Sequence, residues 1–382
     1  MTVRWPMVPL GEVAELVRRP VEVDIDGLYP ELGVRSFGRG TFHKPPLTGA
    51  DAGSKRLFLI ETGDLVFNIV FAWEGAVAVA GPNDNGRFGS HRFLTFVPNP
   101  KRADAGFIKA WFSTPAGLEV LGRASPGGAG RNRTLGIEAA SRMPVPMPPP
   151  DVQRRIVERL DAVEARIAQR QSEADAVDKE LARLLAAAFH RIAQDAPRAR
   201  MGDVAPLVRR SVMIDPEASY TEIGVRSFFK GVFHRRTVSG AEFTWQKLFR
   251  VNEGDLIFSN LMAWEKGIAL AGAADDGCVG NHRMLTCEAD RDRLVPGFLW
   301  FYFTTEEGFA QVVAASPGTI ARNKTLSAEE LPNITVPVPS LDAQQWFDAL
   351  QQKARAAREA QAAAAAELDH LVPALLAEAF AP

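Results

Sequence analysis

Between Val152 and Ile192, apolar or small residues fall at Ile156, Leu160, Val163, Ile167, Ala174, Val177, Leu181, Leu184 and Ala188. The steps alternate four and three, with one polar interruption at Arg170, giving a heptad seam of about five repeats. No Gly or Pro occurs from Val152 to Gln194, and the proline run Pro144–Pro150 ends just before Asp151, which reads as a helix N-cap. A helix of roughly 40 residues would be about 60 Å long at 1.5 Å per residue. That length suits a spacer or a coiled-coil arm, not the core helix of a small domain. A second, alanine-rich seam runs through Phe347, Gln351, Ala354, Arg358, Gln361, Ala365, Leu368, Val372, Leu375 and Ala379. Its small residues predict close packing against the large residues of the first seam, and Pro373 predicts a kink or break near the end.

The rest of the pattern occurs twice, at a constant offset. Gly33-Val-Arg-Ser-Phe37 returns as Gly224-Val-Arg-Ser-Phe228, so 224 − 33 = 191. The same offset relates Gly63-Asp-Leu-Val-Phe67 to Gly254-Asp-Leu-Ile-Phe258, Ala72-Trp-Glu74 to Ala263-Trp-Glu265, and His91-Arg92 to His282-Arg283. It also relates Arg131-Asn132 to Arg322-Asn323, and Phe189 to Phe380. Chance does not hold one offset over so many matches, so the chain is a duplication. Two copies are too few for a solenoid. The layout is a globular domain at 1–150, a long helix at 151–195, a second domain at 196–340 and a distal helix at 341–382.

Within each copy the pattern shifts to strands. Leu32–Lys44 and Ile223–Arg235 read as strand, glycine turn, strand. Arg35, Ser36, Arg39, His43 and Lys44 lie on the first hairpin, and Arg226, Ser227, Lys230, His234 and Arg235 on the second. A cationic hairpin tip with flanking aromatics suits a DNA groove. The alternative is a solvated hairpin with Phe37 and Phe42 in the core. The apolar run from Ile60 to Ala80 predicts the central strands. Asp64 and Glu74 recur as Asp255 and Glu265, but a nuclease lysine two residues on is replaced by Ala76 and Gly267. Gly-Asp-Leu is then a turn into a strand, and Trp73 and Trp264 are core or rim aromatics. His91-Arg92 and His282-Arg283 stand at a strand entrance, where they can hold phosphates or bases. One His per copy, without Cys or acidic companions at ligand spacing, is a poor metal site. A helix is expected from Gly106 and again from Gly297. A second cationic loop carries Arg131, Asn132, Arg133 and Thr134, repeated as Arg322, Asn323, Lys324 and Thr325. Its small residues let the backbone approach a ligand, and its donors suit phosphates or base edges.

Charge narrows the reading only a little. The chain has 382 residues, is 46% hydrophobic and carries a formal charge of −2. Residues 1–150 hold 17 Lys and Arg against 14 Asp and Glu, a local excess of +3, while residues 341–382 carry −3. No bulk basic domain exists, so any nucleic acid would be held by local loops or with a partner's help. Cys278 and Cys287 occur only in the second copy, so no disulfide framework is shared, and a reducing cytoplasm is expected. No signal peptide or membrane-spanning run is read.

These features together resemble the specificity subunit of a type I restriction-modification system. The resemblance rests on the two-copy layout, on Pro146–Asp161 at the start of the first helix, on Ala72-Trp-Glu-Gly-Ala76, and on the Leu-Leu-x-x-Ala-Phe endings at 184–189 and 375–380. The second Trp-Glu departs from it, running into Lys266-Gly267. The resemblance implies an α+β fold with two duplicated target-recognition domains, each a mixed β-sheet with helices. Two long antiparallel coiled-coil helices would join them with pseudo-two-fold symmetry. It implies a non-catalytic chain reading a bipartite site on double-stranded DNA. Two methyltransferase subunits would dock on it, and restriction or translocase subunits could join. S-adenosylmethionine, ATP and Mg²⁺ would be held by those partners; no cofactor and no metal is expected in this chain. No adenine-methylase motif, Walker loop or nuclease triad is found in the sequence. Two other readings are a two-domain protein–protein adaptor with a coiled-coil spacer and a stand-alone DNA nuclease.

Overall fold

The computed structural model describes residues 5–128, 133–243, 247–318 and 324–381. Two compact units emerge, one from Met1–Glu173 with Ala362–Pro382, the other from Ala174–Gln361. Each unit takes its own globular part and a stretch of each long helix.

The duplication is carried into the backbone register. In unit 1 a four-stranded antiparallel sheet runs Val77–Val79, Leu65–Asn68, Phe93–Pro98, Ala14–Val17. In unit 2 the equivalent order is Ile268–Leu270, Leu256–Ser259, Met284–Cys287, Leu207–Val208. Met7 faces Pro146 in one unit and Arg198 faces Pro337 in the other. The central strand is Leu65–Asn68 because Leu65, Val66 and Phe67 are all apolar and fully buried, as a strand covered on both faces requires. A parallel contact, Glu222 with Val279, makes the second sheet of unit 2 mixed; unit 1 has the matching bridge from Glu31 to Phe88. The helices Ala105–Phe112 and Pro296–Thr304 begin where Gly106 and Gly297 placed them and pack their aromatic residues into the cores.

The first long helix spans Pro150–Ala193. Asp151 is therefore inside the first turn and not the N-cap. Pro150 takes the first helical position, where its missing N–H costs nothing and its fixed φ is already helical. Asp151 then interacts with the helix dipole. Gln153 is wholly buried one turn in. Its amide oxygen accepts Asp104 N–H at 2.9 Å, and its nitrogen donates to Arg102 O at 2.9 Å and Pro148 O at 2.8 Å. Gln344, also wholly buried, repeats this clamp on Val295 N–H, Arg293 O and Pro339 O. The shared Asp-x-Gln at each helix start thus ties the helix to the chain segment before the domain's own aromatic helix.

Along the seam Leu160 and Ala188 are buried, but Val177 and Leu184 remain 43% and 48% exposed. Near its end the buried stripe shifts to Leu185, Ala188, Phe189 and Ala193. A straight helix drifts from a strict heptad, and here Phe189 also meets Phe298 and Phe301 of the unit 2 domain. In unit 2, Asp178 binds Arg358 at 3.0 Å, Phe189 meets Phe347 and Arg191 lies over Trp346. The numbers rise on one helix as they fall on the other, so these two stretches are antiparallel. The distal helix, Leu341–Leu368, stops and resumes as Leu371–Ala379. Pro373 lacks an N–H and its ring would collide with the carbonyl four residues back, which places the break there.

One position breaks the internal symmetry at a cost. Ile69 of unit 1 packs against the core, but its counterpart is Asn260, whose buried Oδ1 has no hydrogen-bond partner among the described residues. Asn260→Ile is expected to stabilise unit 2 by about 1–2 kcal/mol, the cost of an unmet buried acceptor. Urea denaturation checks this; a less stable variant would contradict it.

Candidate nucleic-acid interface

Each unit contains the same cleft, walled by the hairpin on one side and the His-Arg loop on the other. In unit 1 the hairpin pairs Leu32–Val34 with Thr41–His43. Gly33 faces the Phe42 ring so closely that an added Cβ would sit 2.2 Å from the ring carbon, and Gly224 meets Phe233 in the same way at 2.5 Å. Only glycine fits there. The ring it accommodates is the platform for an arginine: Arg35 stacks 4.9 Å over Phe42, and Arg226 lies 4.9 Å over Phe233. Both arginines also donate to hairpin carbonyls, Thr41 O and Val232 O.

The opposite wall is set by a chain of backbone bonds. Ile69 N–H donates to Arg92 O, and Leu135 N–H donates to Ile69 O, both at 2.9 Å. Unit 2 repeats both links through Asn260, Arg283 and Leu326. The His-Arg loop and the foot of the second cationic loop are therefore fastened to the same strand end. Ser90 Oγ accepts Arg92 N–H at 3.3 Å, and Asn281 Oδ1 accepts Arg283 N–H at 3.0 Å, fixing the turn in each copy.

The resulting clefts each enclose about 570 Å³. The unit 1 cleft gathers Lys44, His91 and Arg92, and the unit 2 cleft gathers Arg235, His282 and Arg283. Lys55 and Lys247 join them. The repeat pattern does not mark these two, because the basic residues there are not at one offset: Lys55 aligns with Gln246, and Arg56 with Lys247. Their signal in the sequence is positive charge kept near a shared position and not at it.

The other expected site residues sit elsewhere or are already engaged. Ser36 donates to Glu74 at 2.8 Å and Ser227 to Glu265 at 3.4 Å. His43 is 2.9 Å from Asp84, and His234 is 3.0 Å from Asp275. Burial alone would raise the pKa of Asp84. Hydrogen bonds from Gly81 N–H, His43 and Thr41 outweigh it and hold the carboxyl below its ordinary value. Arg39 and Lys230 lie at the hairpin tips, over Phe37 and Phe228. Phe37 and Phe228 are 67% and 63% exposed and have positive φ, so the reading of Phe37 as a core residue is corrected. The tip is pinned outward by Phe37 N–H to Glu74 O and Gly38 N–H to Gly75 O. Arg133 stacks 5.0 Å over Trp73 and donates to Ser125 O and Gly122 O. Thr134 is exposed, and Lys324 and Thr325 are half-buried. Arg131, Asn132, Arg322 and Asn323 lie outside the described residues.

The recurrent carboxylates have structural partners. Asp64 is buried and takes a two-pronged bond from Arg19 at 2.7 and 3.2 Å. Asp255 receives the same from Arg210 at 2.6 and 3.1 Å. Burial raises the pKa of both thiols, that of Cys287 to about 12, which leaves them poor nucleophiles near neutral pH. Among the described residues, no group of three His, Cys, Asp or Glu could hold a metal ion, and no helix is long and apolar enough to cross a membrane.

Two like units, each with antiparallel strands joined by one parallel contact and a share of two long helices, make up the fold of type I restriction-modification specificity subunits. The chain is similar to the HsdS subunit from Thermoanaerobacter tengcongensis, with a TM-score of 0.54 and 20% identity over 98% of this chain and 96% of that one. It is similar to a chain from a structure on complex assembly and conformational transition of the type I R-M system, with a TM-score of 0.67 and 21% identity over 98% and 97%. The type I restriction-modification S subunit from M. genitalium matches with a TM-score of 0.53 and 11% identity over 100% and 97%. No protein-family model and no curated protein matches the sequence.

Proposed function

We propose that this chain is the DNA-recognition subunit of a cytoplasmic type I restriction-modification complex, with each unit reading one half of a bipartite site. The observation that carries this reading is the duplicated cleft, in which a basic hairpin residue meets a His-Arg pair on the same backbone frame in both units. Cations held around a groove of this kind suit phosphates, and the polar side chains beside them suit base edges. The second cationic loops, fastened at the cleft wall, would add contacts from Arg131 and Arg322. The exposed faces of the long helices and the Phe37 and Phe228 tips would take the methyltransferase subunits, and restriction subunits would join them. S-adenosylmethionine, ATP and Mg²⁺ belong to those partners in this reading.

The chain itself would be non-catalytic. Purified alone with DNA, Mg²⁺ and S-adenosylmethionine, it is expected neither to cut nor to methylate. With its methyltransferase subunits it should direct adenine methylation to a two-part sequence. Methylation without the chain at the same sequence, or cleavage by the chain alone, would overturn the proposal.

A further inference from the structure

We infer that the bases told apart by the two units are selected at three cleft positions: Lys44, Phe71 and Ser90 in unit 1, occupied by Arg235, Met262 and Asn281 in unit 2. This rests on the reading of the clefts as DNA sites. The argument is one of difference. Gly33, Phe42, His91 and Arg92 recur unchanged in unit 2, so they hold DNA in both units but cannot distinguish one half-site from the other. Whatever distinguishes them must vary between linings built on one frame.

The varying residues have the chemistry for it. Ser90 uses its oxygen to accept Arg92 N–H, which leaves one hydroxyl hydrogen to offer. Asn281 uses its Oδ1 on Arg283 N–H, which leaves an amide nitrogen with two hydrogens and a longer reach. From these poses Ser90 offers one donor hydrogen and Asn281 two, while each oxygen keeps a second lone pair, so Asn281 can span two base atoms where Ser90 reaches one. Lys44 presents a single ammonium. Arg235 presents a planar fork, restrained by Glu222 at 3.7 Å, and a fork fits the paired acceptors of guanine. Phe71, 37% exposed, offers a flat ring to a base or thymine methyl, and Met262 offers a pliable chain. Unit 2 should therefore demand a guanine at a position where unit 1 does not.

The test is selection of binding sequences from a randomised duplex pool by the full chain together with its methyltransferase subunits. Wild type should select an asymmetric two-part motif. A unit 1 graft, Lys44→Arg with Phe71→Met and Ser90→Asn, should select a motif whose two halves are alike at the converted positions, with the gap unchanged. At the converted positions the preference should reverse by roughly 5- to 150-fold, the span of one good base contact. A folded graft that keeps the wild-type motif, or loses its half without acquiring the other, overturns the inference. If the graft does not fold, Ser90→Asn and Asn281→Ser decide separately: each should alter one position in its own half, and no change in either overturns the inference. A wild-type complex that selects no motif refutes the DNA reading itself, which is a different result from an unaltered graft.

Discussion

Gln153→Leu is expected to destabilise unit 1 by about 3 kcal/mol or more, and Gln344→Leu to do the same to unit 2. Each glutamine is wholly buried and serves three backbone groups. Leucine fills the space but bonds to none of them, and an unmet buried polar group costs about 1–3 kcal/mol. The loss should fall on one unit at a time, because each clamp joins a helix start to its own domain. Denaturant unfolding followed by hydrogen exchange checks both the size and the place. A change below about 0.5 kcal/mol, within the usual range for surface substitutions, would show that the clamp is not structural.

Removing the cleft cations should have the largest effect on binding. Lys44→Ala and Arg92→Ala together with Arg235→Ala and Arg283→Ala are expected to weaken DNA binding on the order of 100-fold or more, since a hydrogen bond to a charged group contributes about 1.5 kcal/mol or more. The salt dependence should flatten by about one unit of slope for each phosphate no longer held. Stability should change little, because Arg92, Arg235 and Arg283 are exposed and Lys44 is only half-buried. Ser36→Ala and His43→Ala provide the contrast. Their side chains are engaged with Glu74 and Asp84, so they should affect the hairpin's stability more than the salt slope.

Much of the architecture could be read from spacing. A constant offset fixes a duplication whatever the fold, and an uninterrupted heptad predicts a long helix because nothing in it breaks one. Pro373 located the break for the same local reason. The site was less legible. Sequence separation brought Arg35, Ser36 and His43 together with Lys44, but a hairpin sends alternate side chains to opposite faces, and only Lys44 of these lines the cleft. Arg133 reads as a free cation until Trp73, 60 positions away, is found beneath it. Ring stacking of that kind leaves no periodicity. Lys55 and Lys247 were hidden because charge was retained in the neighbourhood but not at the position. Leu184 was assigned to the seam by a heptad that fails where Leu185 and Phe189 turn toward the unit 2 domain.

The most direct test of the account is equilibrium binding to four duplexes: the methylated two-part sequence intact, with either half scrambled, or with both. Two variants of the full complex are compared with wild type, Lys44→Ala with Ser90→Ala, and Arg235→Ala with Asn281→Ala. Each unit reads its own half in this account, so each variant should stop distinguishing the intact duplex from the one scrambled in a single half, a different half for each variant. Loss of discrimination at both halves in either variant, or at neither half in both, would contradict it.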